Sequence, residues 1–164
     1  MTSDAARGLA IEVAPHNCFA CGSLNEHGLH LELHVDDERC WTALTLDDRF
    51  QGWDGIAHGG IVCTILDEVM AWSLASTDNW GVTARMNVAF RQPVRIGRPI
   101  RAEGWTTSQR RRVVDAHSEL LDAETGELLA SAHGTYVAAD AERKAQLQAR
   151  YRFRLVNEQG GSRA

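Results

Sequence analysis

The chain has no excess of positive charge. Seventeen lysines and arginines face twenty-two acids, for a net charge of −5. That weighs against nucleic acid or an anionic membrane as the main partner. No apolar run reads as long enough to span a bilayer. The first residues, MTSDAARGLAIEV, lack a basic stretch followed by an apolar one, so no secretory signal is expected and a cytoplasmic location is the default. No internal repeat or low-complexity segment argues for a solenoid or a linker array.

Cysteine is scarce: Cys18, Cys21, Cys40 and Cys63. Cys63 lies in an apolar run and reads as a small buried hydrophobe. Cys40 opens a strand-like run. Cys18 and Cys21 form one CxxC, CFAC, with no second copy. Half of a zinc site, with His16 nearby, is one reading. A redox pair is another, but the βαβ context it usually sits in is missing. The third is a tight loop entering the first strand. The tight loop is the expected role, with no metal ligand among the site residues.

What is present is an ordinary globular composition, 44% apolar and 24% charged over 164 residues, enough for one core. Residues 1–28 read as a leader and loop. LHLELHV alternates Leu29, Leu31, Leu33 and Val35 against His30, Glu32 and His34, the pattern of a half-buried strand. CWTALTL makes a hairpin partner after the turn DDER. A helix is predicted from about Gly59 to Thr77, with Ile61, Val62, Ile65, Leu66, Val69, Met70 and Trp72 recurring at helical spacing. Four strands follow, in VTARMNVAFRQPV, PIRAEGWTTS, RVVDAHSELLD and LLASAHGTYVAA, with a left-handed turn expected at Gly126. In the first of these, alternation puts Val82, Ala84, Met86, Val88 and Phe90 on one face and Thr83 on the other. Residues 140–164 read as a polar helix and tail after a domain at 29–139. Two strands, one apolar helix and four strands joined by short turns imply an α+β fold, an antiparallel sheet curled around the helix.

The chemistry concentrates in IAHGGIVCTILDEVMAW. The first amides of a helix lack internal partners and carry the positive end of its dipole. Glycine there lets a ligand reach the backbone. Gly59 and Gly60 therefore make a candidate oxyanion hole. Asp67 and Glu68 fall at the two borders of the apolar stripe, where a carboxylate is costly unless paired or used. Gly60 and Asp67 are seven residues apart, about 10 Å along a helix. If both act on one bond, they come from two chains, which a two-fold homodimer provides.

FQGWDGIAHGG, then ILDE with its acid nine residues after His58, then TARMNVAFRQPV, resembles the hotdog-fold acyl-CoA thioesterases of the thioesterase superfamily. CFACGSLNEHGLHLEL resembles the start of several members, and the likeness runs over about residues 17–138. The resemblance implies acyl-CoA as substrate and a homodimer, with a tetramer as the larger alternative. It implies no cofactor, since coenzyme A is part of the substrate. It assigns Asp67 as nucleophile or general base, Gly59 as the amide that polarises the thioester carbonyl, and Thr83 as a group placing the attacking water. His58 would hold the loop or touch the carbonyl side. Gln51 would sit near the thioester, in a loop where some relatives carry Asn at the position of Gly52. Phe90, Arg91 and the turn arginines Arg110, Arg111 and Arg112 fall where relatives bind the nucleotide end of coenzyme A, and guanidinium groups suit phosphates. Gly60 and Glu68 complete the expected substrate contacts. Met70, Trp72, Trp53 and Trp105 are candidates to line an acyl pocket. The rival readings are a non-catalytic acyl-CoA-binding module and a hotdog dehydratase.

Overall fold

A computed structural model describes residues 8–37, 39–157 and 161–162. Among them, nine strands form one sheet: β1 (Leu9–Glu12), β2 (His34–Asp36), β3 (Arg39–Thr45), β4 (Gly81–Phe90), β5 (Pro99–Arg110), β6 (Val113–Asp122), β7 (Leu128–Ala138), β8 (Arg154–Asn157) and β9 (Gly161–Ser162). Their spatial order is β4-β7-β6-β5-β3-β2-β1-β8-β9, and every neighbouring pair is antiparallel. The long helix α1 (Gly59–Ser76) lies on one face of it, and α2 (Ala141–Tyr151) follows β7. The α+β expectation holds, as do the long helix and the four strands after it. Gly126 adopts the left-handed conformation at φ 75°.

The buried side of α1 is the stripe read from the sequence. Val62, Ile65, Leu66, Val69, Met70 and Trp72 are buried against inward residues of the sheet such as Ile100, Ala102, Val114, Ala116 and Leu120. Two glycines let the helix sit this close. A Cβ on Gly104 of β5 would lie 2.5 Å from the carbonyl carbon of Val69, and one on Gly134 of β7 would lie 3.2 Å from the Met70 sulfur. Gly104→Ala must lift the helix off β5. A loss of about 1–3 kcal/mol of stability is expected, readable as a lowered denaturation midpoint.

Several expectations need correction. α1 has 18 residues and a mean hydropathy of 1.2, so by length and composition it can cross a membrane. Half of it is buried in this fold, as in the core helix of a sheet protein. Leu9–Glu12, read as leader, is a strand between β2 and β8, and part of the expected tail, Arg154–Asn157, is a strand as well. The strand expected over 29–35 shrinks to His34–Asp36. His30 sits at φ 50°, which breaks the extended run, and the amides of Leu29 and Leu31 turn back to the carbonyls of Phe19 and Ala20. Leu31, Leu33 and Val35 are buried all the same, as the alternation implied.

Candidate active site

At the mouth of α1 the two glycines do different work. His58 is the N-cap, in extended conformation, and its Nδ1 accepts the Gly60 amide at 2.9 Å. The amides of Ile61 and Val62 go to the His58 carbonyl. Gly59 N–H has no partner among the described residues, so it is the amide left for a ligand. A Cβ on Gly60 would lie 3.0 Å from His58 Nδ1, so glycine there seats the cap.

Around this mouth, a cavity of ≈ 340 Å³ is lined by Ile56, Ala57, Gly59, Val62, Phe90 and Arg91, among others. The Phe90 ring lies over Gly59: a Cβ there would be 3.5 Å from Phe90 Cζ. Gln51 Oε1 accepts the Gly55 amide at 3.0 Å and so braces the loop before the helix. Gly52 packs on His58, where a Cβ would come within 3.2 Å of its Cα. An asparagine at 52 would have to displace that contact.

Two turns further on, Asp67 Oδ1 accepts two hydroxyl hydrogen bonds, from Thr83 Oγ1 at 2.8 Å and from Tyr136 OH at 2.7 Å. Oδ2 has no partner among the described residues. Thr83 reaches Asp67 because β4 carries a bulge. Register runs Thr83↔Tyr136 and then Arg85↔Thr135, leaving Ala84 as the extra residue. The bulge turns Thr83 onto the inner face with Tyr136, and sends Val82 outward beside Val137, 72% exposed. Strict alternation had placed Thr83 outside and Val82 with Met86.

Tyr136 was not found by the sequence reading. It is fully buried on the inner face of β7, where its neighbours Ala130, Ala132, Gly134 and Ala138 are all small. One phenol among small inward residues was the available signal. Burial, and then the Asp67 charge, push its hydroxyl above the usual tyrosine range, which keeps it a donor.

Glu68 faces the opposite way. Its Oε1 accepts Trp72 Nε1–H at 2.9 Å and lies 4.0 Å from Cys18 Sγ. Burial raises this carboxyl to about 7. It therefore belongs with the CxxC loop and not with the helix mouth. Arg91 and Phe90 sit at one end of β4, whereas Arg110 and Arg111 lie at the hairpin beside its other end, through the row Arg110↔Val113↔Val137↔Val82. Along the strand the two groups are roughly 26 Å apart. A single chain does not bring them together. Of the expected acyl-pocket residues, Met70 is fully buried in the core, Trp72 packs on Trp80 and Phe153, Trp105 lies against Arg39 and His117, and Trp53 is 83% exposed.

Comparison with known proteins bears on the fold. Residues 54–129 match the thioesterase superfamily. An acyl-coenzyme A thioesterase 13 of Mus musculus is 29% identical over 83 residues, 49% of this chain and 59% of the relative. The match thus spans 59% of the length of the curated relatives. A solved thioesterase superfamily protein superposes with a TM-score of 0.70 at 24% identity, over 74% of this chain and 60% of that one. The smu.793 protein of Streptococcus mutans, solved bound to acetyl CoA, gives a TM-score of 0.62 at 16% identity, over 72% and 97% of the two chains. Fold and sequence match coincide: the chain has the hotdog fold, and its residues 54–129 resemble the thioesterase superfamily.

Proposed function

We propose that the protein hydrolyses an acyl-CoA thioester to free acid and coenzyme A, in a homodimer whose two sites are each built from both chains. The observation that carries this is the division of labour along α1. A free amide stands at the helix mouth, and a carboxylate with one oxygen held and one uncommitted stands eight residues on. At 1.5 Å per residue they are about 12 Å apart. One thioester cannot touch both in a single chain.

The edge strand supplies the geometry that unites them. β4 pairs only with β7 among the described residues, and most of its side chains are exposed. An exposed edge of this length invites a strand partner. Antiparallel pairing of two β4 strands about a two-fold near Met86 would set the partner subunit's Phe90 beside Thr83, bringing the partner's helix mouth toward Asp67. The same pairing would bring the partner's Arg110 and Arg111 toward Phe90 and Arg91, making one guanidinium-rich rim for the nucleotide phosphates.

In the general-base form, water gives its proton to Asp67 Oδ2 and adds to the thioester carbonyl carbon. The oxygen becomes an oxyanion held by the partner's Gly59 N–H and the helix dipole. Collapse re-forms the carbonyl and expels coenzyme A as thiolate, which takes up a proton. In the nucleophilic form, Oδ2 attacks the carbonyl carbon, the C–S bond breaks and coenzyme A leaves as thiolate; water then cleaves the resulting anhydride to free acid and the restored Asp67 carboxylate, and the released proton passes to the thiolate. Thr83 and Tyr136 serve both by fixing Oδ1, so that Oδ2 faces the substrate.

Tyr136 is a positioning residue here. Tyr136→Phe is expected to lower kcat about tenfold with KM little changed, because the phenol acts through the carboxylate it bonds, Asp67. An unchanged kcat with a lowered denaturation midpoint would make its role structural only. The hydrolase reading itself is tested by free-thiol release from short, medium, long and aromatic acyl-CoAs. Turnover of one class supports it. Binding without thiol release from any of them would favour a non-catalytic acyl-CoA-binding module.

A further inference from the structure

The fold assembles a second constellation, on the other side of α1, that the hydrolase chemistry does not use. His16, Cys18 and Cys21 each offer a ligand atom, all within 4.8 Å of one another. Cys21 Sγ is 3.4 Å from His16 Nε2. Glu68, from the middle of α1, brings a carboxylate oxygen to 4.0 Å from Cys18 Sγ. We propose that these four residues form a closed structural zinc site, Cys18–Cys21–His16–Glu68, which clamps the N-terminal loop to the central helix.

The ligand set fits that ion. Two thiolates, an imidazole and a carboxylate are the donors tetrahedral Zn²⁺ takes, and four protein ligands leave no open position. With ordinary Zn–S and Zn–N bonds, ligand atoms of a tetrahedron lie about 3.5 Å apart. The His16–Cys21 separation already has that value, and Cys18 to Glu68 needs about half an ångström of closure.

The surroundings would hold the ligand atoms in place on a metal. His16 is buried, and its Nδ1 lies 3.0 Å from the Ala14 carbonyl. Donating there leaves the Nε2 lone pair aimed at the site, the arrangement that orients metal-bound histidine. Trp72 Nε1–H fixes one oxygen of Glu68 at 2.9 Å. The loop is closed tightly after the second cysteine. The Gly22 amide bonds the Cys18 carbonyl at 2.9 Å, and a Cβ on Gly22 would lie 2.4 Å from Cys18 N. Tyr151, at the end of α2, packs edge-on against the His16 ring. Metal binding would release the two thiol protons and tie the N-terminal loop and α1 to one point. That point is one residue from Asp67, so the clamp also fixes the rotation of α1.

The test is metal analysis of the full chain, purified under reducing conditions without chelators or a metal-affinity column. About one zinc per chain is expected. Cobalt(II) substitution should give thiolate-to-cobalt charge transfer and the strong visible bands of tetrahedral cobalt. Cys18→Ser and Cys21→Ser should each cut zinc content to about a tenth or less, and Trp72→Phe should weaken affinity about tenfold. Wild-type protein that takes up no stoichiometric zinc when it is supplied would overturn the proposal. So would a six-coordinate cobalt spectrum, or a Cys18–Cys21 disulfide in the reduced preparation. The cobalt spectrum needs no variant, so a misfolded mutant cannot obscure the answer, and none of these readouts depends on thioester hydrolysis.

Discussion

Asp67→Asn is expected to lower acyl-CoA turnover about a hundredfold or more while leaving the fold and the dimer in place. The amide keeps the shape of the carboxylate. Its oxygen can still accept from Thr83 and Tyr136, which hold Oδ1 at 2.8 and 2.7 Å. What disappears is the basic, negatively charged second oxygen, and with it both proton abstraction and nucleophilic attack. Substrate binding should change little, because in the proposed site the helix mouth and the arginine rim hold the acyl-CoA. Steady-state kinetics should show the loss in kcat, with circular dichroism and sedimentation matching wild type. A variant that turns over normally would remove Asp67 from the mechanism.

Gly59→Pro should be nearly as damaging and is structurally mild. Gly59 is the first residue of α1, where proline is well tolerated because that amide has no helical partner. His58 stands at φ −62° and ψ 135°, a conformation that suits the residue before proline. A Cβ at 59 meets nothing closer than Phe90 at 3.5 Å. The substitution thus deletes one N–H and leaves the His58 cap on Gly60. Removing one oxyanion donor costs about a hundred- to a thousandfold in kcat. A Gly59→Pro protein with a normal denaturation midpoint and normal turnover would show that this amide does not bind the oxyanion.

Much of this arrangement could be read from the sequence, for physical reasons that also mark where reading stopped. α1 and β4 to β7 are long, and their periods of three to four and of two repeat often enough to stand out. β1 and β8 have four residues each and no alternation to speak of; they are strands because they pair with each other, with β2 on the far side of β1 and β9 on the far side of β8. The helix mouth was legible because Gly-Gly after histidine has few local explanations. The direction of Thr83 was not, because a single inserted residue, Ala84, inverts a strand's faces without leaving a mark in composition. Tyr136 was hidden by distance along the chain, as its partner lies 69 residues earlier. Asp67 and Glu68 were found together, but only the fold separates their tasks, turning one toward Thr83 and the other toward Trp72 and the CxxC loop.

The two defects described above also combine into the most direct test of a site shared between chains. Asp67→Asn and Gly59→Pro chains, each inactive alone, would be co-expressed or unfolded and refolded together. In a mixed dimer, one site joins an intact Asp67 to an intact partner Gly59, while the other carries both defects. Random pairing makes half of the dimers mixed, so about a quarter of wild-type activity should return, as two-fold symmetry requires. Activity that stays at the level of the separate variants, in a preparation shown to contain mixed dimers, would contradict the shared site.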